Sequence, residues 1–156
     1  MSKRQIIAII LWWAEGTKSR RDIRWKNAVS YPIEVTNTNP AIIKIFLDFL
    51  RQDLKISEEK IKLQIQIHAG DNQDEIEEYW AKLTQIPRGR FNKTIIRNTG
   101  NKPGKSKGTC KIRFADKSVY QKLEEKLSLA LRGVYDSPEK VLSVYEPGIT
   151  EVDVLR

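Results

Sequence analysis

The stretch Ile6–Gly16, IIAIILWWAEG, constrains this chain more than any other, because eight consecutive apolar residues, Ile6 to Trp13, are closed by Glu15 and Gly16. A helix built from it has no polar stripe for water, so it is expected to lie in a core or an interface and not on an open surface. It is too short to span a bilayer. Lys3 and Arg4 in front imitate the start of a signal peptide, but no small-residue cleavage site follows, and Glu15, Lys18, Arg20 and Arg21 come directly after. The stretch is therefore read as part of the fold. It delivers one carboxylate, Glu15, to the C-terminal end of a helix, where the negative pole of the dipole disfavours it. Either Glu15 lies solvated at a rim, paired with Lys18 or Arg20 and contributing little, or it holds a cation.

A chain of 156 residues, 40% hydrophobic and 31% charged, is long enough to bury a real core and reads as one globular domain. Its single cysteine, Cys110, excludes an intramolecular disulfide framework and fits a reducing, intracellular compartment: cytoplasm, nucleoid or organelle. With neither a Cys/His cluster nor Walker glycines, zinc modules and P-loop enzymes lose their footing. A net charge of +8 points towards a polyanionic partner. Its distribution sharpens the point: Arg88, Arg90, Lys93, Arg97, Lys102, Lys105, Lys107, Lys111 and Arg113 follow one another with no Asp or Glu between them. That run is expected to form a surface of one sign. Acids gather instead in Asp71–Glu78 and after Val134.

In chain order, Thr17–Asn27 is polar and basic, with Ile23 and Trp25 spaced for one face of a strand. Tyr31, Ile33 and Val35 alternate with Pro32, Glu34 and Thr36, as a half-buried strand requires, and Pro32 fits its start or an edge. Asn39-Pro40 reads as an N-cap and a first-turn proline. The helix it opens keeps Ile42, Ile43, Phe46, Leu47, Leu50 and Leu54 on one side, opposite Lys44, Asp48, Arg51 and Lys55. Lys60–His68, KIKLQIQIH, alternates without error: Ile61, Leu63, Ile65 and Ile67 belong inside, Lys60, Lys62, Gln64, Gln66 and His68 outside. The outer row is either a solvated sheet face or a set of donors for phosphates and base edges.

Asp71–Gln85 reads as a helix capped by Asp71 or Asn72, burying Ile76, Tyr79, Trp80 and Leu83 and stopping before Pro87. Phe91–Arg97 and Thr109–Phe114 read as strands, the second with Cys110, Ile112 and Phe114 inward and Thr109, Lys111 and Arg113 outward. Between them Asn98–Gly108, NTGNKPGKSKG, is a Gly, Lys and Asn loop suited to phosphates. Asp116 caps a last helix carrying Val119, Tyr120, Leu123, Leu127 and Leu131 and ended by Gly133. Residues 134–156 form an acidic C-terminal extension beyond a domain spanning 1–133.

Helix, strands, helix, strand, extra helix, strands, helix is, apart from the extra helix, the order of the LAGLIDADG homing endonuclease family. Ala8–Gly16 (AIILWWAEG) resembles its signature helix, Glu15-Gly16 falling on the acid and glycine that close the motif and Ala14 on its last small residue. Val35–Pro40 (VTNTNP) resembles the family's second strand-to-helix junction, and the likeness covers roughly Arg4–Gly133. Ile10 departs from the family's small residue four before Ala14, and two indoles, Trp12 and Trp13, stand before Ala14.

The resemblance implies an α/β (α+β) fold, α-β-β-α-β-β-α, whose mostly antiparallel saddle-shaped sheet sits over duplex DNA, with one helix inserted in the second half. It implies a homodimer through Ile10, Trp13 and Ala14, because the family's active site uses two signature helices. Metal-dependent, site-specific cleavage of a pseudo-palindromic double-stranded target would follow, with Mg²⁺ or Mn²⁺ held at Glu15 and Gly16 and with Asn37 and Lys117 completing the catalytic set. DNA contacts are expected from Lys18, Arg20, Arg21, Lys60, Lys62, Gln64, Gln66, Lys93, Arg97, Lys105, Lys107, Lys111 and Arg113. A non-cleaving DNA- or RNA-binding relative, a maturase or regulator, shares every basic feature and stays open. So does a basic domain with no nucleic acid partner. No membrane contact is expected.

Overall fold

The computed structural model describes residues 1–22, 28–98, 106–132 and 134, without the side chains of 20–22. The expected strand residues Ile23 and Trp25, Lys105, Gly133 and the acidic extension from 135 onward lie outside the described residues. Four main helices and a four-stranded sheet make a mixed α+β fold. In order these are α1 (Lys3–Glu15), β1 (Arg20–Asp22), β2 (Ala28–Ser30), β3 (Pro32–Asn37), α2 (Pro40–Asp48), β4 (Lys62–His68), α3 (Gln73–Thr84), β5 (Phe91–Arg97), β6 (Thr109–Ala115) and α4 (Lys117–Leu131). The short strands β1 and β2 pair separately.

The main sheet runs β3-β6-β4-β5. β6 lies antiparallel to both β3 and β4, whereas β4 and β5 are parallel. The parallel pair follows from α3, since two neighbouring strands pointing the same way need a crossover of about a dozen residues or more between them. As a result β5 and β6, consecutive in the chain, are not neighbours, and β6 slots between β3 and β4. Gly108 makes its entry possible: at φ +67 it takes a left-handed turn, and a Cβ there would sit 2.7 Å from the Gln66 carbonyl oxygen.

Alternation decides which side of the sheet is covered. Leu63, Ile65 and Ile67 of β4, Cys110 and Ile112 of β6, and Ile33 and Val35 of β3 are buried under the helices. Polar capping residues set the helix starts. The side chains of Asn39, Asn72 and Asp116 accept from the backbone N–H groups of Ala41, Glu75 and Val119. Ser2 and Gln5 form a reciprocal capping box at the start of α1.

One expectation needs correction. The helix opened by Pro40 is not α-helical as far as Leu54: after Asp48 it widens into a π turn, Phe49–Asp53, in which the Leu54 N–H reaches the Phe49 carbonyl. The wider turn brings both Phe49 and Leu50 into the core, where each is fully buried. Of the two places expected for α1, a core or an interface, its own chain supplies the first only in part. The helix packs against β3, α2 and α4 on one side only, burying Ala8, Ile9 and Trp12. Ile6, Ile7 and Ile10 on its other side remain 40%, 48% and 36% exposed. The fold supplies neighbours for one side of a helix that is apolar on both. No helix among the described residues is long and apolar enough to cross a membrane.

Candidate nucleic-acid interface

The uncovered face of the sheet carries long polar side chains in register. Lys62 of β4 lies opposite Arg113 of β6, and Gln64 opposite Lys111. Across the other side of β6, Arg113 faces Glu34 and Lys111 faces Thr36 on β3. Lys62, Gln64, Gln66, Lys111 and Arg113 therefore share one surface, as their strand positions predict. On β5, past a bulge that leaves Lys93 exposed, Arg97 stands beside His68. Arg97 donates to the Gln66 amide oxygen at 2.9 Å, and Arg113 donates to that of Gln64 at 3.2 Å. The Gln64 amide nitrogen in turn donates to the Lys93 carbonyl at 3.1 Å. Both glutamines are thus engaged by arginines, and Gln64 by neighbouring backbone as well.

The sequence pattern put Glu34 on this face but gave it no role. In the fold it is a buried carboxylate, 8% exposed, beneath the basic side chains. Arg113 Nε lies 3.4 Å from one of its oxygens, and Lys111 Nζ 3.7 Å from the other, which also accepts from the Thr17 hydroxyl at 2.6 Å. A buried carboxylate is tolerated only when its charge is matched in this way. What hid it from the sequence is that Glu34, Lys111 and Thr17 meet only when β3 pairs with β6 and the end of α1 packs against β3.

Thr17 also locates Glu15. A Cβ at Gly16 would run into the Trp12 carbonyl in the last turn of α1 and come within 3.0 Å of the Glu34 carbonyl on β3. A side chain at 16 would push the end of α1 off the strand. The chain then emerges at Thr17 on the outer face, which leaves Glu15 exposed at the rim where the helical layer meets the basic surface. Lys18 does not pair with it. Its ammonium caps α1 instead, donating to the Trp13 carbonyl at 2.6 Å and lying 5.2 Å from the centre of the Trp12 ring, and burial lowers its pKa.

Asn37 and Lys117 do not meet within one chain. The Asn37 side chain accepts from the Asn39 N–H at 2.9 Å, shaping the turn into α2. Lys117 lies over the ring of Tyr31, 5.6 Å from its centre, at the opposite end of β3. Six residues of strand separate those ends, roughly 20 Å. Among the described residues no group of three or more His, Cys, Asp and Glu could hold a metal ion. Mg²⁺ sites built on one or two carboxylates rely on substrate phosphates for the remaining oxygens. Glu15 of one chain does not by itself make a site for the ion.

The one-sign run from Arg88 to Arg113 is not one surface. Arg88 binds Glu77 at 2.7 Å and Asp74 at 2.6 Å on α3. Arg90 pairs with Glu58, and Lys107 with Glu75 at 2.5 Å. These acids lie outside the run in sequence but beside it in space, so Arg88, Arg90 and Lys107 already have counter-ions, while Lys93 and Arg97 do not share them. Lys60, expected at the head of β4, precedes the strand and pairs with Asp116 at 2.8 Å. What remains open to a ligand is the sheet face itself; the side chains of Arg20 and Arg21 on β1 lie outside the described residues. No protein-family model, no curated protein and no solved structure matches the chain.

Proposed function

We propose that the chain binds duplex DNA with the uncovered face of its sheet, as a twofold dimer joined through the open side of α1. The observation that carries this reading is the meeting of two surfaces at one rim. An apolar helix face of Ile6, Ile7 and Ile10 leads to Ala14 and Glu15, and the basic rows begin immediately beyond Thr17. Apolar side chains grouped on one helix face favour a self-complementary contact, for which a twofold axis is the commonest solution. Rows of Lys, Arg and Gln on strands suit a groove and its flanking phosphates. The likeness of Ala8–Gly16 to the LAGLIDADG signature supports the same arrangement, and with it metal-dependent cleavage by a homing endonuclease-like dimer.

Cleavage adds one requirement. Glu15 of the two copies, with oxygens of the DNA phosphates, would hold a divalent ion, which would supply charge stabilisation for phosphodiester hydrolysis. A non-cleaving DNA- or RNA-binding protein is the second reading, favoured by one observation: Asn37 and Lys117 are apart and each already has a local structural contact.

One experiment separates the readings. Wild type and Glu15→Gln are incubated with a duplex target library and Mg²⁺ or Mn²⁺, and nicking, double-strand cleavage and binding are scored together. Binding by both and cleavage by wild type alone is expected. Binding without cleavage by wild type selects the non-catalytic reading, and absence of duplex binding overturns the proposal.

A further inference from the structure

Arg113 differs from the other cations of the sheet face in being held on two sides while staying 42% exposed. Its Nε lies 3.4 Å from the buried Glu34 carboxylate, and one terminal nitrogen donates to Gln64 at 3.2 Å. Gln64 is itself fixed by the Lys93 carbonyl. A guanidinium carries five N–H donors in a rigid planar fork, so an ion pair beside Nε and a hydrogen bond from one terminal nitrogen bias the direction of the remaining donors. A phosphate anchor needs no such restraint, because charge alone serves it. Reading a base does, and the two acceptors that a planar fork matches in the major groove are O6 and N7 of guanine.

Resting on the duplex-binding reading, we propose that Arg113 is a guanine-reading residue and that Glu34 and Gln64 are its positioning residues. Each half-site then contains one guanine whose identity matters more than its neighbours. Glu34 has a second consequence. Its carboxylate draws Lys111 and Arg113 down towards the sheet, so it lowers indiscriminate attraction to phosphates while sharpening the base contact.

The test selects binding sites from a randomised duplex library with full-length wild type, Arg113→Lys, Glu34→Gln and Gln64→Leu, and measures affinity for a random duplex against salt. In wild type one guanine per half-site is enriched. Arg113→Lys keeps the charge but loses the fork, and its preference for that guanine is expected to fall about tenfold, a larger loss than any in its random-duplex affinity. Glu34→Gln should reduce the same preference severalfold, while its random-duplex affinity rises and its salt slope steepens. A merely structural Glu34 would lower the melting temperature without steepening that slope. Should Glu34→Gln fail to fold, Arg113→Lys and Gln64→Leu decide the matter. Wild type that binds duplex with no guanine preference, or with one that survives Arg113→Lys, overturns this inference and leaves duplex binding standing. Wild type that binds no duplex overturns the reading on which it rests.

Discussion

Two helices of this chain carry long apolar runs in sequence and are treated in opposite ways by the fold. α2 and the π turn that continues it bury Ile43, Phe46, Leu47, Phe49 and Leu50 completely. α1 buries Ala8, Ile9 and Trp12 and leaves three isoleucines open. The difference lies in neighbours and not in composition, because α2 meets α1, α3 and the sheet, whereas one side of α1 meets nothing described. Hydrophobicity therefore measures how much burial a segment can use. Geometry decides whether one chain can supply it.

The largest expected effect tests the closed helix. Phe46→Ala removes a fully buried ring from the centre of the core and should cost about 3–5 kcal/mol, by the cavity it leaves and the transfer energy it loses. Denaturant unfolding with an unchanged m-value would measure it. Ile10→Ala on the open helix should change the stability of the isolated chain by at most about 0.5 kcal/mol. Equal losses at both sites would break the comparison.

Ile10→Glu sharpens the same contrast by association. A charge placed on an exposed face is well tolerated in a monomer but costly in an apolar interface. Light scattering should show a dimer for wild type at micromolar concentration and a monomer for the variant, with unchanged secondary structure. A monomeric wild type would mean that something other than a second copy covers α1.

A smaller effect concerns the carboxylates held in ion pairs at Glu58, Glu77 and Asp116. Burial pushes the Glu77 carboxyl up, but hydrogen bonds from Thr94, Gln73 and Arg88, with the charge of Arg88, outweigh it and hold the pKa below its ordinary value. At Glu58 the hydrogen bond from Arg51 is the largest of the contacts that hold the pKa low, and at Asp116 that from Lys60. A group whose pKa is lower folded than unfolded adds stability that is full above its unfolded value, about 4, and is lost as pH falls through the folded one. Stability should thus hold from neutral pH to near 5 and then decline with acid. Glu77→Gln should be less stable at neutral pH and show a shallower decline, measured as melting temperature against pH.

Much of this architecture is legible in the chain, and what is not has a common cause. Ile61 to Ile67 announces β4 by strict alternation, and Asn39, Asn72 and Asp116 announce helix starts, because in each the decisive interaction lies within a few residues. The open side of α1, the place of β6 between β3 and β4, and the burial of Glu34 each depend on residues far apart in sequence. The charge run misleads for the same reason: Glu75 and Glu77 meet Lys107 and Arg88 only after α3 folds back across the sheet.

The last and smallest prediction separates the two kinds of cation that the sequence presents as one. Lys62 lies on the uncovered face, opposite Arg113, and has no carboxylate within ion-pair reach among the described residues. Lys107 is paired to Glu75 and lies against Tyr79, 5.9 Å from the ring centre. Each phosphate contact made by a protein adds about one unit to the slope of log affinity against log salt. Lys62→Ala should therefore weaken binding to every duplex alike and reduce that slope by about one unit. Lys107→Ala, which removes the same formal charge, should leave the slope unchanged within error, since its ammonium already has a counter-ion and offers the duplex little. Equal reductions would mean that the bound duplex extends over the α3 end and displaces Glu75 from Lys107. Unchanged slopes in both would take the phosphates off the sheet face altogether.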